Sequence, residues 1–518
     1  MVFYSSEVNF ALIAAALPAL ASLYVFFFKK NHKLALFLLG LSGLMLRFAI
    51  ASFDPYLQEW DERYHALVAK NLMDFPFRPM LRIDPILEYQ KDAWCCNHIW
   101  VHKQPLFMWQ MAVSMKIFGV NEIAMRLPSV IMGTLSIFMI FEIAKFWTKD
   151  GTVAYLSSFL FTFSYYQLEL TSGRFSLDQN DAAFAFYVTA SIWAFVKYLK
   201  TNYSIKWVVI VGMLVGGAVL NKWLTGLLIF GGWGLYILLS EGWIKDYRKW
   251  LHLLLAFFVS LVVFMPWQIY ILHAFPEESA IMYEHNRRHI FEPLDGHIGD
   301  IWFHFNQMKV TYGRFLLIFI PLGIIQLFRD KKVSKSLTIS FVSMGIIIYL
   351  FFSAIVQTKM PAFTFPVHSL IWTMIAFGIY SVSELVFNKL AIYQKYFLYV
   401  FLYVCMGIYT LKPWEIAKYR DVHNEMRNTK IYNTAIYKNL SKEKIEGRVI
   451  LNCKAFEDTD VMFYQDVNAY HWYPEQHTLD SLLEIGYQFA AFQNHTNQGL
   501  PEYISNNKDI LIIREQIK

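Results

Sequence analysis

The residues with chemistry to offer fall into four clusters. Trp60-Asp61-Glu62-Arg63-Tyr64-His65 places two carboxylates a few residues beyond a long apolar run. A carboxylate at a membrane surface can take a proton as a general base; the plain alternative is a solvated loop whose acids pair with Arg63. His98-Ile99-Trp100-Val101-His102-Lys103-Gln104-Pro105-Leu106 sets a fixed cation ahead of a proline and an aromatic-rich amphipathic stretch. Such a cation suits a phosphate, although an interfacial lysine with Trp100 and Trp109 as anchors reads the same way.

Arg174-Phe175-Ser176-Leu177-Asp178-Gln179-Asn180-Asp181 lies between two apolar runs, where ionisable side chains are costly and usually face a cavity. Asp178 is the favoured functional residue there, and Lys222, also between two apolar runs, invites the same argument against a snorkelling helix-end lysine. Tyr283-Glu284-His285-Asn286-Arg287-Arg288-His289 and Lys359-Met360-Pro361 add further cations. Histidines 98, 102, 285, 289, 297 and 304 raise the question of a metal. No pair is read as having the tight helical spacing of HExxH, so no metal and no cofactor is expected; His102 and His285 are the first ligands to test.

The elements that must carry these clusters are set by composition. Of 518 residues, 56% are hydrophobic and only 17% charged, well short of the quarter usual in soluble chains. The apolar residues gather in about twelve runs between residues 8 and 412, each near the length that crosses a hydrocarbon core. We expect an all-α polytopic membrane protein, its first run (Val8 to Phe28) retained as a helix. Short basic loops such as Lys29/Lys30/Lys33, Lys245/Arg248/Lys249 and Arg329/Lys331/Lys332/Lys335 fall on one side, which the positive-inside rule makes the cytoplasm. Both termini, the long loops 54–124 and 274–313, segments 171–180 and 357–363, and a tail from 413 are then outside.

The expected domains are a membrane module over 1–412 and a small soluble α/β domain over 413–518. In the tail, Arg448 to Leu451, Phe489 to Phe492 and Ile510 to Ile513 read as strands, with a helix over Thr478 to Gly486. Four cysteines, Cys95, Cys96, Cys405 and Cys453, are too few for a disulfide scaffold. No nucleic-acid surface is expected from the +6 charge, because the basic clusters lie between apolar runs. The chain has no phosphate-binding GxxxxGK[ST] loop, no GxGxxG after a strand and no GxSxG elbow, which argues against a nucleotide-driven pump.

Taken in order, these pieces resemble the dolichyl-phosphate-mannose protein mannosyltransferase superfamily, particularly its bacterial branch that includes the aminoarabinose transferase of lipid A. The resemblance runs over roughly residues 55 to 390: Asp61-Glu62, His102-Lys103-Gln104-Pro105-Leu106, Arg126-Leu127-Pro128-Ser129, Leu177-Asp178, Leu220-Asn221-Lys222, Pro266-Trp267, Glu284-His285 and Lys359-Met360-Pro361 with Pro366. It implies the C-type (GT-C) membrane glycosyltransferase fold, inversion at the anomeric carbon and a polyprenyl-phosphate-linked sugar donor. The acceptor would be a lipid, glycan or protein, and the active site would face the periplasm or exterior from the bacterial inner membrane.

On this reading Asp61, Glu62 and Asp178 are the catalytic carboxylates. Lys103, with Lys222, Arg287 and Lys359 as further cations, holds the donor phosphate, and Tyr64, His65, His102, Glu284 and His285 line the substrate pocket. Tyr64 stands where aminoarabinose transferases often have Arg, His102 replaces an acid and Trp223 a glycine, which implies a different head-group pocket. A lipid or polysaccharide transporter would instead show repeat symmetry or broken helices in matching halves, and a membrane assembly protein would tolerate loss of Asp61 and Lys103.

Overall fold

A computed structural model describes residues 2–88, 97–174, 179–222, 224–240, 242, 246–495 and 498–518. It is dominated by helices, ten of which are long and apolar enough to cross a membrane. They run Ser5–Lys29, His32–Ser52, Glu122–Thr148, Gln179–Lys200, Ile205–Lys222, Tyr247–Ala274, Phe303–Arg329, Lys335–Ile355, Pro361–Phe387 and Ile392–Tyr419. The other two expected runs form shorter apolar helices, Gly151–Thr162 and Leu224–Leu238. The first of these opens at Asp150, whose Oδ1 accepts from the Thr152 and Val153 amides at 2.7 and 3.0 Å and so satisfies two donors orphaned at the helix start.

The chain divides into two compact units: Met1–Val8, Ser52–Leu127 and Ile416–Lys518 form one, and Asn9–Ala51 with Pro128–Glu415 the other. In the first, helix α1 (Asp61–Leu72) and helix α2 (Pro105–Phe118) pack together. Its tail contributes a parallel three-stranded sheet: β1 (Arg448–Leu451), β2 (Gln488–Phe492) and β3 (Ile510–Ile513), with β2 in the middle. Val449 pairs with Phe489 and Phe489 with Ile510, so apolar side chains stack in register. Helix Gln476–Ile485 follows the expected position and ends at Gly486 in the left-handed conformation, φ +107°.

The 52–127 segment and the tail are interlocked by polar groups as well as by packing. Leu87 joins Leu451, Tyr470, Leu479, Phe489 and Ile504 in one buried core. Arg82, buried, donates through Nη2 to Asp458 Oδ2 at 2.5 Å and through Nε to the Ala469 carbonyl at 3.0 Å, while its guanidinium lies 4.3 Å from the Tyr470 ring centroid. Lys70 Nζ reaches the Met462, Phe463 and Gln465 carbonyls at 2.7, 3.2 and 3.0 Å, a cation closing the end of helix Asp458–Tyr464.

The second unit holds the helical bundle. Without a hydrophobic force between helices in lipid, close approach rests on small residues. An added Cβ at Gly323 would lie 1.9 Å from the Met374 carbonyl oxygen, and one at Gly378 would lie 2.2 Å from that of Phe319. The spans Phe303–Arg329 and Pro361–Phe387 therefore meet backbone to backbone. The same unit carries helix α3 (Pro276–Phe291).

Candidate active site

Asp61 opens α1 and Lys103 stands two residues before α2, so two helix starts place the acid and the cation. Lys103 Nζ lies 3.8 Å from Asp61 Oδ2, and both side chains keep some exposure, 20% and 15%. Trp60, just before Asp61, takes φ +63°, a region sparsely populated by bulky residues and costing about 1–3 kcal/mol. Strain of this kind is held only where the surroundings enforce it; here the Trp60 ring packs 5.2 Å from that of Phe456.

Glu62 stands one residue further and occupies a different environment. It is fully buried; Arg126 Nε donates to its Oε1 at 2.8 Å, Arg126 Nη2 to its Oε2 at 2.9 Å, and the Gln58 amide to Oε2 at 2.5 Å. Arg126 also donates to the carbonyls of Asp54 and Tyr56, each at 2.8 Å. Asp54 is itself gripped by Arg420 Nη2 at 2.7 Å and Arg427 Nε at 3.0 Å. Burial alone would raise the Asp54 pKa, but Arg420, Arg427 and Arg126 together hold it below the ordinary carboxylate value. This network fixes the start of α1 and with it the position of Asp61.

Tyr64, His65 and His102 gather around buried Trp100: its ring stacks 6.2 Å from Tyr64, meets His65 edge-on at 5.3 Å and lies 5.5 Å from His102. His98 holds the preceding loop, its Nε2 3.0 Å from the Leu87 carbonyl, and burial with nearby Arg82 lowers its pKa to about 4. Arg63 turns to the C-terminal tail, with Nε 3.2 Å from Asp460 Oδ2.

In the other unit, Lys222 pairs with Asp181, and its ammonium lies 5.4 Å from the Phe363 ring centroid. Lys359 is buried and donates to the carbonyls of Phe352, Ser353 and Val356 at 2.9, 2.8 and 2.5 Å, so it caps the end of the preceding helix. Arg287 forms a two-point pair with Glu284 at 2.8 and 2.6 Å on an exposed face. His285 and His289 stand four residues apart on α3, which corrects the expectation that no histidine pair has the helical spacing of HExxH. Asp178 and Trp223, together with Cys95 and Cys96, lie outside the described residues. The functional reading of the sequence missed Arg126, Asp54, Arg420 and Arg427; only Arg126 carried a signal, as the arginine of the Arg-Leu-Pro-Ser motif.

The fold is that of a multi-pass membrane protein of the GT-C type, as the likeness to the solved structures below shows. Residues 102–270 match the family model of dolichyl-phosphate-mannose-protein mannosyltransferase. The chain has the fold of the crystal structure of ArnT from Cupriavidus metallidurans bound to undecaprenyl phosphate, with a TM-score of 0.62 at 14% identity over 86% of this chain and 87% of that one. It is also similar to the archaeal oligosaccharyltransferase AglB from Archaeoglobus fulgidus in complex with an inhibitory peptide and a dolichol-phosphate, with a TM-score of 0.57 at 13% identity over 85% and 64% of the two chains.

Similar sequences include undecaprenyl phosphate-alpha-4-amino-4-deoxy-L-arabinose arabinosyl transferase 2 of Pseudomonas fluorescens, 21% identical over 266 residues, 50% of this chain and 46% of that one. The corresponding transferase of Pseudomonas paraeruginosa is 23% identical over 269 residues, with the same shares of the two chains. The chain spans about half the length of the relatives it matches in sequence. The resemblance read from the motifs is thus found again by family, by sequence and by fold.

Proposed function

We propose that the chain is an inverting glycosyltransferase that moves a sugar from a polyprenyl-phosphate donor to a lipid, glycan or protein acceptor at the outer face of the membrane. The observation that carries this reading is the Asp61–Lys103 pair, 3.8 Å apart and partly exposed where two helices begin. A paired acid and cation can be divided between two substrates. The donor phosphate takes Lys103, and the acceptor hydroxyl takes Asp61. The donor class is supported by the two sequence relatives named above, both undecaprenyl phosphate-aminoarabinose arabinosyl transferases, and by the undecaprenyl phosphate bound in the ArnT structure.

In the transfer, the acceptor oxygen bonds to the anomeric carbon from the face opposite the phosphate. The carbon–oxygen bond to the phosphate breaks, and its electron pair leaves with the polyprenyl phosphate. Lys103 meets the negative charge that grows on that leaving oxygen, an effect strengthened where water is partly excluded. Asp61 accepts the proton of an acceptor hydroxyl, a contribution of about 10²- to 10⁴-fold; a phosphate acceptor needs no base, and Asp61 then only orients it. Glu62 is a positioning residue, acting through Arg126 on the start of α1, and Asp178 is proposed to orient acceptor or sugar hydroxyls. Among the other cations Arg287 is the exposed one. The short basic loops favour a site on the side away from the cytoplasm, and the bacterial relatives favour an inner-membrane protein with that side facing the periplasm.

The test is reconstitution in nanodiscs with undecaprenyl-phosphate-linked sugars and a membrane lipid extract as acceptor source, following release of undecaprenyl phosphate. Release above that of an Asp61→Asn/Lys103→Ala double variant is expected. Equal rates for the two proteins with every sugar overturn the reading.

A further inference from the structure

Helix α3 presents His285 and His289 one turn apart on a single face, with ring centroids 4.7 Å from each other. Beyond its end, Asp295 at φ +53° and Gly296 at φ +75° fold the chain back. This left-handed pair, which Asp and Gly tolerate better than other residues, brings Asp295 Oδ2 to 3.7 Å from His285 Nε2. One donor atom from each of His285, His289 and Asp295 lies within 4.8 Å of the other two. Ligands of a tetrahedral zinc at about 2.0–2.2 Å stand roughly 3.3 Å apart, so small side-chain rotations close the set.

The surroundings choose the histidine tautomer. Thr358 Oγ1 has one proton and donates it to the Glu292 carbonyl at 2.8 Å. At 3.0 Å from His289 Nδ1 it can therefore only accept, which puts the ring proton on Nδ1 and leaves the lone pair on Nε2. Outer-shell partners of this kind orient metal-binding histidines in general. The same hydroxyl accepts from the Leu294 amide at 3.2 Å, so the turn and the ring share one anchor.

We propose that His285, His289 and Asp295 form a binding site for a divalent transition metal, with zinc the best fit to two imidazoles and one carboxylate. The ion ties α3 to the turn at Asp295. That turn is already joined to the segment leading to Lys359: the Gln357, Thr358 and Lys359 amides donate to the carbonyls of Ile290, His289 and His297 at 3.0, 3.1 and 3.0 Å. Metal binding therefore steadies the backbone that carries Lys359, whatever reaction the protein performs.

The experiment uses the full chain without a polyhistidine tag, purified in detergent, stripped with a chelator and titrated with Zn²⁺ against a chromophoric competitor. One tight equivalent is expected for the unaltered protein and for the control His273→Ala. His289→Ala and Asp295→Asn should each weaken binding at least 100-fold, and Thr358→Val, which removes the anchor but no ligand, about 10-fold. Zn²⁺ should also slow hydrogen exchange in peptides covering 353–362, and should not do so in His289→Ala. No tight equivalent in the unaltered protein, or undiminished binding in both ligand variants, overturns the site. Binding without slowed exchange overturns its coupling to Lys359.

Discussion

Lys103 Nζ lies 3.8 Å from Asp61 Oδ2, so the proposed phosphate cation and the proposed acceptor carboxylate neutralise each other until substrates part them. The two substitutions should therefore fail in different ways. Lys103→Ala removes a charge-assisted contact worth about 1.5–3 kcal/mol, so donor binding should weaken roughly 10- to 100-fold and turnover should fall with it. Asp61→Asn keeps the side chain's size and leaves Lys103 for the donor; binding should hold while single-turnover transfer to a hydroxyl acceptor drops about 100-fold or more. Donor titration and single-turnover kinetics in nanodiscs decide this, and near-normal transfer by Asp61→Asn removes the residue from the chemistry.

Glu62 and Arg126 make a fully buried ion pair at 2.8 Å. Breaking one half of such a pair costs about 3–5 kcal/mol because the remaining charge is stranded. Arg126→Met should lower the thermal unfolding temperature sharply, and the double variant Glu62→Gln/Arg126→Met should regain part of the loss. A double variant less stable than Arg126→Met alone would show that the pair is not the source.

Asp460 provides a pH signature. Burial raises its pKa, Arg63 opposes, and the neighbouring acids Glu457 and Asp458 push it further, to about 7 against an ordinary 3.8. Between those values the folded protein holds a proton that the unfolded chain releases, so this group's stabilisation is complete below pH 4 and is lost as pH rises through 7. Asp54 and Asp458, with lowered pKa values, act oppositely and lose their contribution as pH falls below about 4. Asp460→Asn should thus flatten the fall in unfolding temperature between pH 5 and pH 8. An unchanged slope in that window refutes the assignment.

Gly323 and Gly378 make reciprocal approaches to the opposite backbone at 1.9 and 2.2 Å from an added Cβ. Since carbonyls on both sides are helix backbone, the spans must separate to admit a methyl group. Gly378→Ala should cost stability in detergent well beyond the helix-propensity gain of up to about 1 kcal/mol that alanine brings. Gly231→Ala, where nothing stands within 4 Å, is the control and should be neutral or stabilising.

The long apolar runs and the tail strands were readable because each is governed by a local period: lipid crossing for the spans, alternation for β1 to β3. Asp61 and Lys103 could be singled out because each stands at or just before a helix start with its own sequence cue, and the structure brings the two side chains together. Glu62 looked equivalent to Asp61, but adjacent residues on a helix point about 100° apart, and that rotation sends one carboxylate to the accessible side and the other to Arg126. The partners of Asp54 lie 366 and 373 residues away, and no local pattern announces them. The His285–His289 spacing stands in the sequence but was not recognised as helical, and Asp295 joins the pair only through a left-handed turn that the sequence alone does not specify.

The grip of Arg420 and Arg427 on Asp54 also sets a timetable. At about 5–20 residues per second, a nascent chain waits tens of seconds between making Asp54 and making its arginines. Through that interval the 52–127 segment must persist with Asp54, Arg82 and Lys70 lacking their tail partners. The finished unit around Asp61 is therefore a post-synthetic closure, with the last hundred residues acting as the clasp, and a pause or truncation before Arg420 would leave the start of α1 unsecured.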